Sequence, residues 1–135
     1  MQGKKTGSGW IIQRTDKNHS EIMTCLRRLG CSVSSLHSAG EGIFDLLVSV
    51  GCLNILIEVK DGSKPPSKRQ LTEPQKKWHF SWQGLRAIAT CPDDCVKIVN
   101  QTRVILSLLT KAAKENNIPL QIEGASDDQY KPNLF

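Results

Sequence analysis

Two apolar runs that carry charged residues constrain this chain most: Phe44-Asp45-Leu46-Leu47-Val48, and Ile55-Leu56-Ile57-Glu58-Val59-Lys60. Only Gly51-Cys52 and their immediate flanks separate them, so they read as two strands of a hairpin. Glycine at the first central position suits a two-residue type II′ turn, which pairs Val50 with Leu53. That register sets Asp45 directly opposite Glu58, with Cβ atoms about 5 Å apart on one face. Strand alternation sends Lys60 to the same face as Glu58. The other face of the second strand, Leu53, Ile55, Ile57 and Val59, is a clean core face.

Charges in half-buried strands are costly unless paired or bound to an ion. Two opposed carboxylates repel, so the pair calls for a cation between them. A hard divalent ion with oxygen ligands, Mg²⁺ or Mn²⁺, meets that need. A metal flanked by a lysine is what hydrolysis of a phosphodiester requires. The alternative is a buried salt-bridge cluster, which returns little stability for its desolvation cost.

The rest of the chain is consistent with one α/β domain. Its 135 residues suffice for a core, and 39% hydrophobic with 23% charged residues is ordinary for a globular protein. The formal charge of +5 fits a nucleic-acid partner. No apolar run reaches transmembrane length, so no membrane partner is expected. The five cysteines, with no apolar leader at the N-terminus, predict reduced thiols and a cytoplasmic location. Cys91 and Cys95 lack a second ligand pair for zinc, and Cys25, Cys31 and Cys52 read as packing residues.

Residues 1–16 read as a flexible basic arm in which Lys4, Lys5 and Arg14 are available to phosphate, residues 17–118 as the domain, and residues 119–135 as a polar tail. Within the domain a helix is predicted over Asn18 to Leu29, stopped by Gly30. A strand over Cys31 to His37, a glycine loop to Gly42 and the hairpin follow. Asp61 to Gln70 is a basic loop, and prolines 65 and 66 exclude helix and central strand there. Thr72-x-x-Gln75 is a capping box opening a helix that ends near Gly84. A strand over Leu85 to Thr90 leads to a helix from Pro92 to about Asn116, with a break expected near Gln101-Thr102 and a buried stripe of Val96, Val99, Ile105, Leu106, Leu109 and Ala113. The order is α-β-β-β-α-β-α, a mixed β-sheet flanked by helices.

The ordered set of Glu21 on the first helix, Gly42-x-x-Asp45, Glu58-x-Lys60 and Leu71-Thr72-x-x-Gln75 followed by Trp78 resembles the PD-(D/E)xK nuclease superfamily. It is most similar there to small phage and bacterial nucleases of the VRR-NUC group and to archaeal-type Holliday-junction resolvases. The likeness runs from about Asn18 to Trp82 and continues into the next strand. Phe44 stands where the signature often has proline, a residue without a catalytic group.

This resemblance implies a restriction-endonuclease-like core and Mg²⁺-dependent DNA hydrolysis, with Mn²⁺ able to substitute and no organic cofactor. It implies Asp45, Glu58 and the Val59 carbonyl as metal ligands, helped by Glu21, with Lys60 at the attacking water and phosphate and Gln75 orienting Lys60. Glu21 also fits a simple helix N-terminal role, and Gln75 a simple cap. Lys64, Lys68 and Arg69, with Gly40 and Gly42 for close backbone approach, are the candidate DNA contacts; a solvated loop and a relieved turn are their plainer readings. Trp78 and Trp82 read as core, His79 as a helix-surface residue, and His19 and His37 lack a convincing partner. The implied substrate is branched DNA, cut by a homodimer whose face is the exposed apolar part of the last helix or the two tryptophans. A bacterial or phage-infected cell is the implied setting. A flap-processing or restriction-like nuclease and a catalytically silent DNA-binding module are the alternatives.

Overall fold

A computed structural model of the chain describes residues 18–40 and 42–119. The N-terminal arm with Lys4, Lys5 and Arg14, and the tail from residue 120, lie outside the described residues. The elements are α1 (residues 18–28), β1 (Ser32–Ser35), β2 (Leu46–Val50), β3 (Leu53–Val59), α2 (Glu73–Ser81), β4 (Arg86–Ala89) and α3 (Pro92–Glu115). The order is α-β-β-β-α-β-α, as the sequence pattern indicates. The four strands form one sheet in the order β1-β2-β3-β4. The first two pairings are antiparallel and β3–β4 is parallel, so the sheet is mixed. The parallel pair comes from the β3–α2–β4 unit, because strands running the same way need a crossover connection.

The hairpin has the expected register, with Val50 across from Leu53 and Leu46 across from Ile57. Gly51 takes φ +60, as the first central residue of a type II′ turn must. β3 is buried on both faces, from Ile55 through Val59. One face joins the main core, where Ile22 and Leu26 of α1 and Cys95, Ile98 and Val99 of α3 pack on Leu46, Val48, Ile55, Ile57 and Val59. The opposite face carries the buried Phe44, Leu56 and Glu58. Here α2 approaches, with the Trp78 and Phe44 rings 5.0 Å apart.

Several expectations change. α3 is continuous through Gln101-Thr102, where Thr102 is buried and its hydroxyl donates to the Ile98 carbonyl at 2.7 Å. Its buried residues are Cys95, Ile98, Val99, Thr102 and Leu106, whereas Val96, Ile105 and Leu109 are exposed. The stripe is rotated because the two buried cysteine and threonine positions, weakly apolar by type, set the docking phase. A single 3-10 turn, Pro66–Lys68, forms in the proline loop, since Pro66 sits at its first position, where the missing N–H is not needed. α2 ends at Ser81 with Trp82 as its C-cap, ahead of Gly84. Trp82 is 42% exposed and stacks on the half-buried Trp78 with centroids 5.2 Å apart; α2 has no buried residue, so neither tryptophan belongs to the core. No helix among the described residues is long and apolar enough to cross a membrane.

Gly42 holds the loop before β2 against α2. It has φ +82, and a Cβ there would lie 2.8 Å from the Pro74 carbonyl oxygen. Both the left-handed backbone and the contact with fixed backbone oppose any side chain. Gly42→Ala is expected to cost about 1–3 kcal/mol, read as a lower denaturant midpoint with an unchanged slope.

Candidate active site

Asp45 sits one residue before β2. If the β2–β3 ladder continued, the Val59 N–H would bond to the Phe44 carbonyl. Instead it donates to Asp45 Oδ2 at 2.8 Å, so the carboxylate ends the ladder. The register makes Asp45 and Glu58 a non-hydrogen-bonded pair, the type whose side chains come closest. In a strand, N–H and C=O of one residue point the same way, so the Val59 carbonyl also faces Asp45. Two carboxylates and a carbonyl thus converge at the open end of the hairpin.

Lys60 follows where β3 ends. Its backbone is fixed on both sides: its N–H donates to Ala89 O at 2.9 Å, and its carbonyl accepts from Asn18 Nδ2 at 2.9 Å. The Lys60 ammonium lies 3.3 Å from Glu58 Oε1, and it donates to Gln75 Oε1 at 2.9 Å. Gln75 Nε2 in turn donates to Glu58 Oε1. The same Gln75 Oε1 accepts the Thr72 N–H at 2.9 Å and closes the capping box of α2. The capping and site readings of Gln75 are therefore one arrangement: the box fixes the side chain that links Lys60 to Glu58.

Glu58 is 2% exposed. Burial pushes its carboxyl up to about 7; the Asp45 carboxylate adds to the rise, and the Lys60 ammonium opposes it. Its Oε2 is buried without a hydrogen-bond partner among the described residues. An orphaned buried carboxylate oxygen is expensive, and here it stands beside a second carboxylate. Among the described residues no group of three or more His, Cys, Asp and Glu side chains could hold a metal. The donors available are thus two carboxylates and a carbonyl. That set fits Mg²⁺, which is commonly held by one or two carboxylates while keeping several waters.

Glu21 does not join Asp45 and Glu58 as a third acidic ligand among the described residues. It is exposed and lines a depression with Asn18, Asp61, Ser63, Arg69 and Thr90. From α1 it is His19 that faces the site, with Nε2 3.9 Å from Asp45 Oδ2 and a side chain only 13% exposed. The reason is helical phase: Ile22 and Leu26 dock in the core, and His19 extends that stripe by one turn, while Glu21 falls off it. This spacing, and the pin from Asn18 to Lys60, are the signals that identify both residues as part of the site. His79 packs against Phe44 with ring centroids 5.5 Å apart, and is half-buried rather than on the surface.

Lys64 and Lys68 are exposed in the loop after Lys60, and Arg69 is half-buried with its Nε unpartnered among the described residues. Gly40 has φ +124, and among the described residues only Ile43 Cδ1, at 4.0 Å, comes near where a Cβ would be. Gly42 is taken up by its contact with Pro74, a close approach within the protein. Cys95 is fully buried and its thiol is pushed up to about 12 by burial, so it is a packing residue. Comparisons with family models, curated proteins and solved structures find no match to the chain.

Proposed function

We propose that the chain is a divalent-metal-dependent DNA endonuclease with a restriction-endonuclease-like core, acting on branched DNA. The observation that carries this reading is the Asp45–Glu58 pair, with its orphaned buried oxygen, joined through Gln75 to a fixed lysine. A protein has little to gain in stability from such a cluster, and hydrolysis of a phosphodiester uses every part of it. Asp45, Glu58 and the Val59 carbonyl hold the cation. A bound Mg²⁺ or Mn²⁺ supplies Lewis acidity at the phosphate and a more acidic water. Lys60 places its ammonium where negative charge builds on the phosphate, and Gln75 keeps it there. Lys64 and Lys68 lie next in the chain, exposed, and suit contact with the DNA backbone, which positions without reading sequence. Contacts of that kind favour recognition of DNA shape.

The test is cleavage of a labelled four-way junction, a flap and a linear duplex, each with Mg²⁺ or EDTA. Junction cutting that EDTA abolishes is the expected result. Cutting of the flap or duplex instead keeps the site and moves the substrate to a flap-processing or restriction-like role. Tight binding without cleavage of any substrate would favour a catalytically silent DNA-binding module.

A further inference from the structure

One flank of α1 faces the end of β1 across an open depression of about 250 Å³. His19, Ser20, Thr24 and Arg27 line it from the helix, at i, i+1, i+5 and i+8, and Ser35 and His37 line it from the other side. That spacing sets the helical residues along one side of the Ile22 and Leu26 stripe. Glu21, the one carboxylate between residues 18 and 28, falls on the opposite side, in the depression it shares with Asp61. The charges of the helix are therefore sorted. Two imidazoles, a guanidinium and three hydroxyls converge, and among the described residues no carboxylate lines the space. Arg27 donates to the Val33 carbonyl at 3.4 Å and has no ion-pair partner among the described residues. Ser35 Oγ accepts the His37 N–H at 3.3 Å, which leaves its own O–H to donate.

We infer that this depression is a phosphate subsite, which holds the phosphate next to the one that is cut. Arg27 supplies a planar fork of donors, the form that matches phosphate oxygens, and the hydroxyls donate beside it. The space takes a tetrahedral phosphate together with several waters, at about 30 Å³ each. His19 Nε2 lies 3.9 Å from Asp45 Oδ2, and the Leu36 N–H donates to the Asp45 carbonyl at 2.7 Å. The depression thus borders the carboxylate pair on its β1 side. The loop that carries Lys64 and Lys68 leaves on the β4 side, where the Gly62 N–H donates to the Thr90 carbonyl at 3.1 Å. Positive groups therefore stand on both sides of Asp45 and Glu58. A nucleic acid strand laid across the ends of β1, β2 and β3, about 4.8 Å apart, meets the subsite, the cation and the basic loop in succession. The position beside the cut rests on the proposed function; the affinity for phosphate does not.

Inorganic phosphate, titrated in EDTA into the isotope-labelled full chain, should shift the NMR signals of Arg27, Ser35 and His37 together and saturably. Arg27→Ala should weaken this binding by about ten-fold or more, as loss of a charge-assisted hydrogen bond does. His37→Ala should weaken it as well, both with an unchanged melting temperature. Single-stranded DNA is then bound in EDTA with one uncharged methylphosphonate walked along the strand. Several positions should weaken binding to the parent, and in Arg27→Ala one of them should no longer do so. Phosphate that shifts none of these residues, or that binds Arg27→Ala as it binds the parent, would overturn the subsite. A methylphosphonate pattern that Arg27→Ala leaves unchanged would overturn its place along a strand and leave it to free or terminal phosphate. None of these measurements uses cleavage, so a chain that never cuts DNA can still pass them.

Discussion

Lys60→Ala is expected to lower the rate of DNA cleavage by about a hundred- to a thousand-fold, with DNA affinity and cation binding retained. The ammonium is held in advance, 2.9 Å from Gln75 Oε1 and 3.3 Å from Glu58 Oε1, on a side chain only 14% exposed. A charge fixed before the reaction costs no reorganisation when negative charge develops, which is why its loss falls on the chemical step. Affinity should change little, because the net charge of +5 is spread over other basic residues, including Lys64 and Lys68. Cation binding should hold or tighten, since a positive neighbour has been removed from Glu58. Single-turnover cleavage, anisotropy with Ca²⁺ in place of Mg²⁺, and calorimetric titration of the metal separate the three quantities. Asp45→Asn makes the complementary case. Its side-chain oxygen can still accept the Val59 N–H, so the fold should survive while cation binding is lost. A Lys60→Ala protein that cleaves like the parent would remove Lys60 from the chemistry.

The part of the site built by short-range rules is legible in the sequence. A two-residue turn with glycine first allows one register, and that register alone brings Asp45 opposite Glu58. Alternation then places Lys60, and the capping box places Gln75. What depends on the docking phase of a helix is not legible in the same way. Glu21 and His19 are two residues apart; the spacing of Ile22 and Leu26 marks His19 as in line with the apolar stripe, but which end of that stripe meets Asp45 depends on how α1 docks. The phase of α3 is set by Cys95 and Thr102, which a hydrophobic pattern underweights, so of the expected stripe Val99 and Leu106 are buried while Val96, Ile105 and Leu109 turn to solvent. The cover of Phe44 by Trp78 and His79 depends on where α2 lands on the sheet, which no local pattern specifies.

Glu58→Gln should stabilise the metal-free protein above pH 7 and change it little near pH 5. Folded Glu58 keeps its proton up to about 7, whereas its ordinary value is 4.5. Between these values the folded state binds more protons than the unfolded chain, so stability falls as pH rises. Below the lower value both states are protonated and the penalty vanishes. Above the upper value it is complete, at about 3 kcal/mol. Glutamine keeps the oxygen that accepts from Gln75 but removes the charge, so it escapes the penalty. A divalent cation relieves the same strain in the parent by neutralising the carboxylate and displacing its proton. Cation at a hundred times its dissociation constant should therefore add about 2.7 kcal/mol at alkaline pH, less near pH 5, and nothing in Glu58→Gln. Melting temperatures at pH 5 and pH 8, with EDTA and with Mg²⁺ or Mn²⁺, give all the required comparisons. A buried salt bridge to Lys60 makes the opposite forecast, because removing one partner of such a pair destabilises by about 3–5 kcal/mol. If Glu58→Gln lowers the melting temperature at pH 8 and the cation shifts neither protein, the carboxylate pair is structural and the cation site is lost with it.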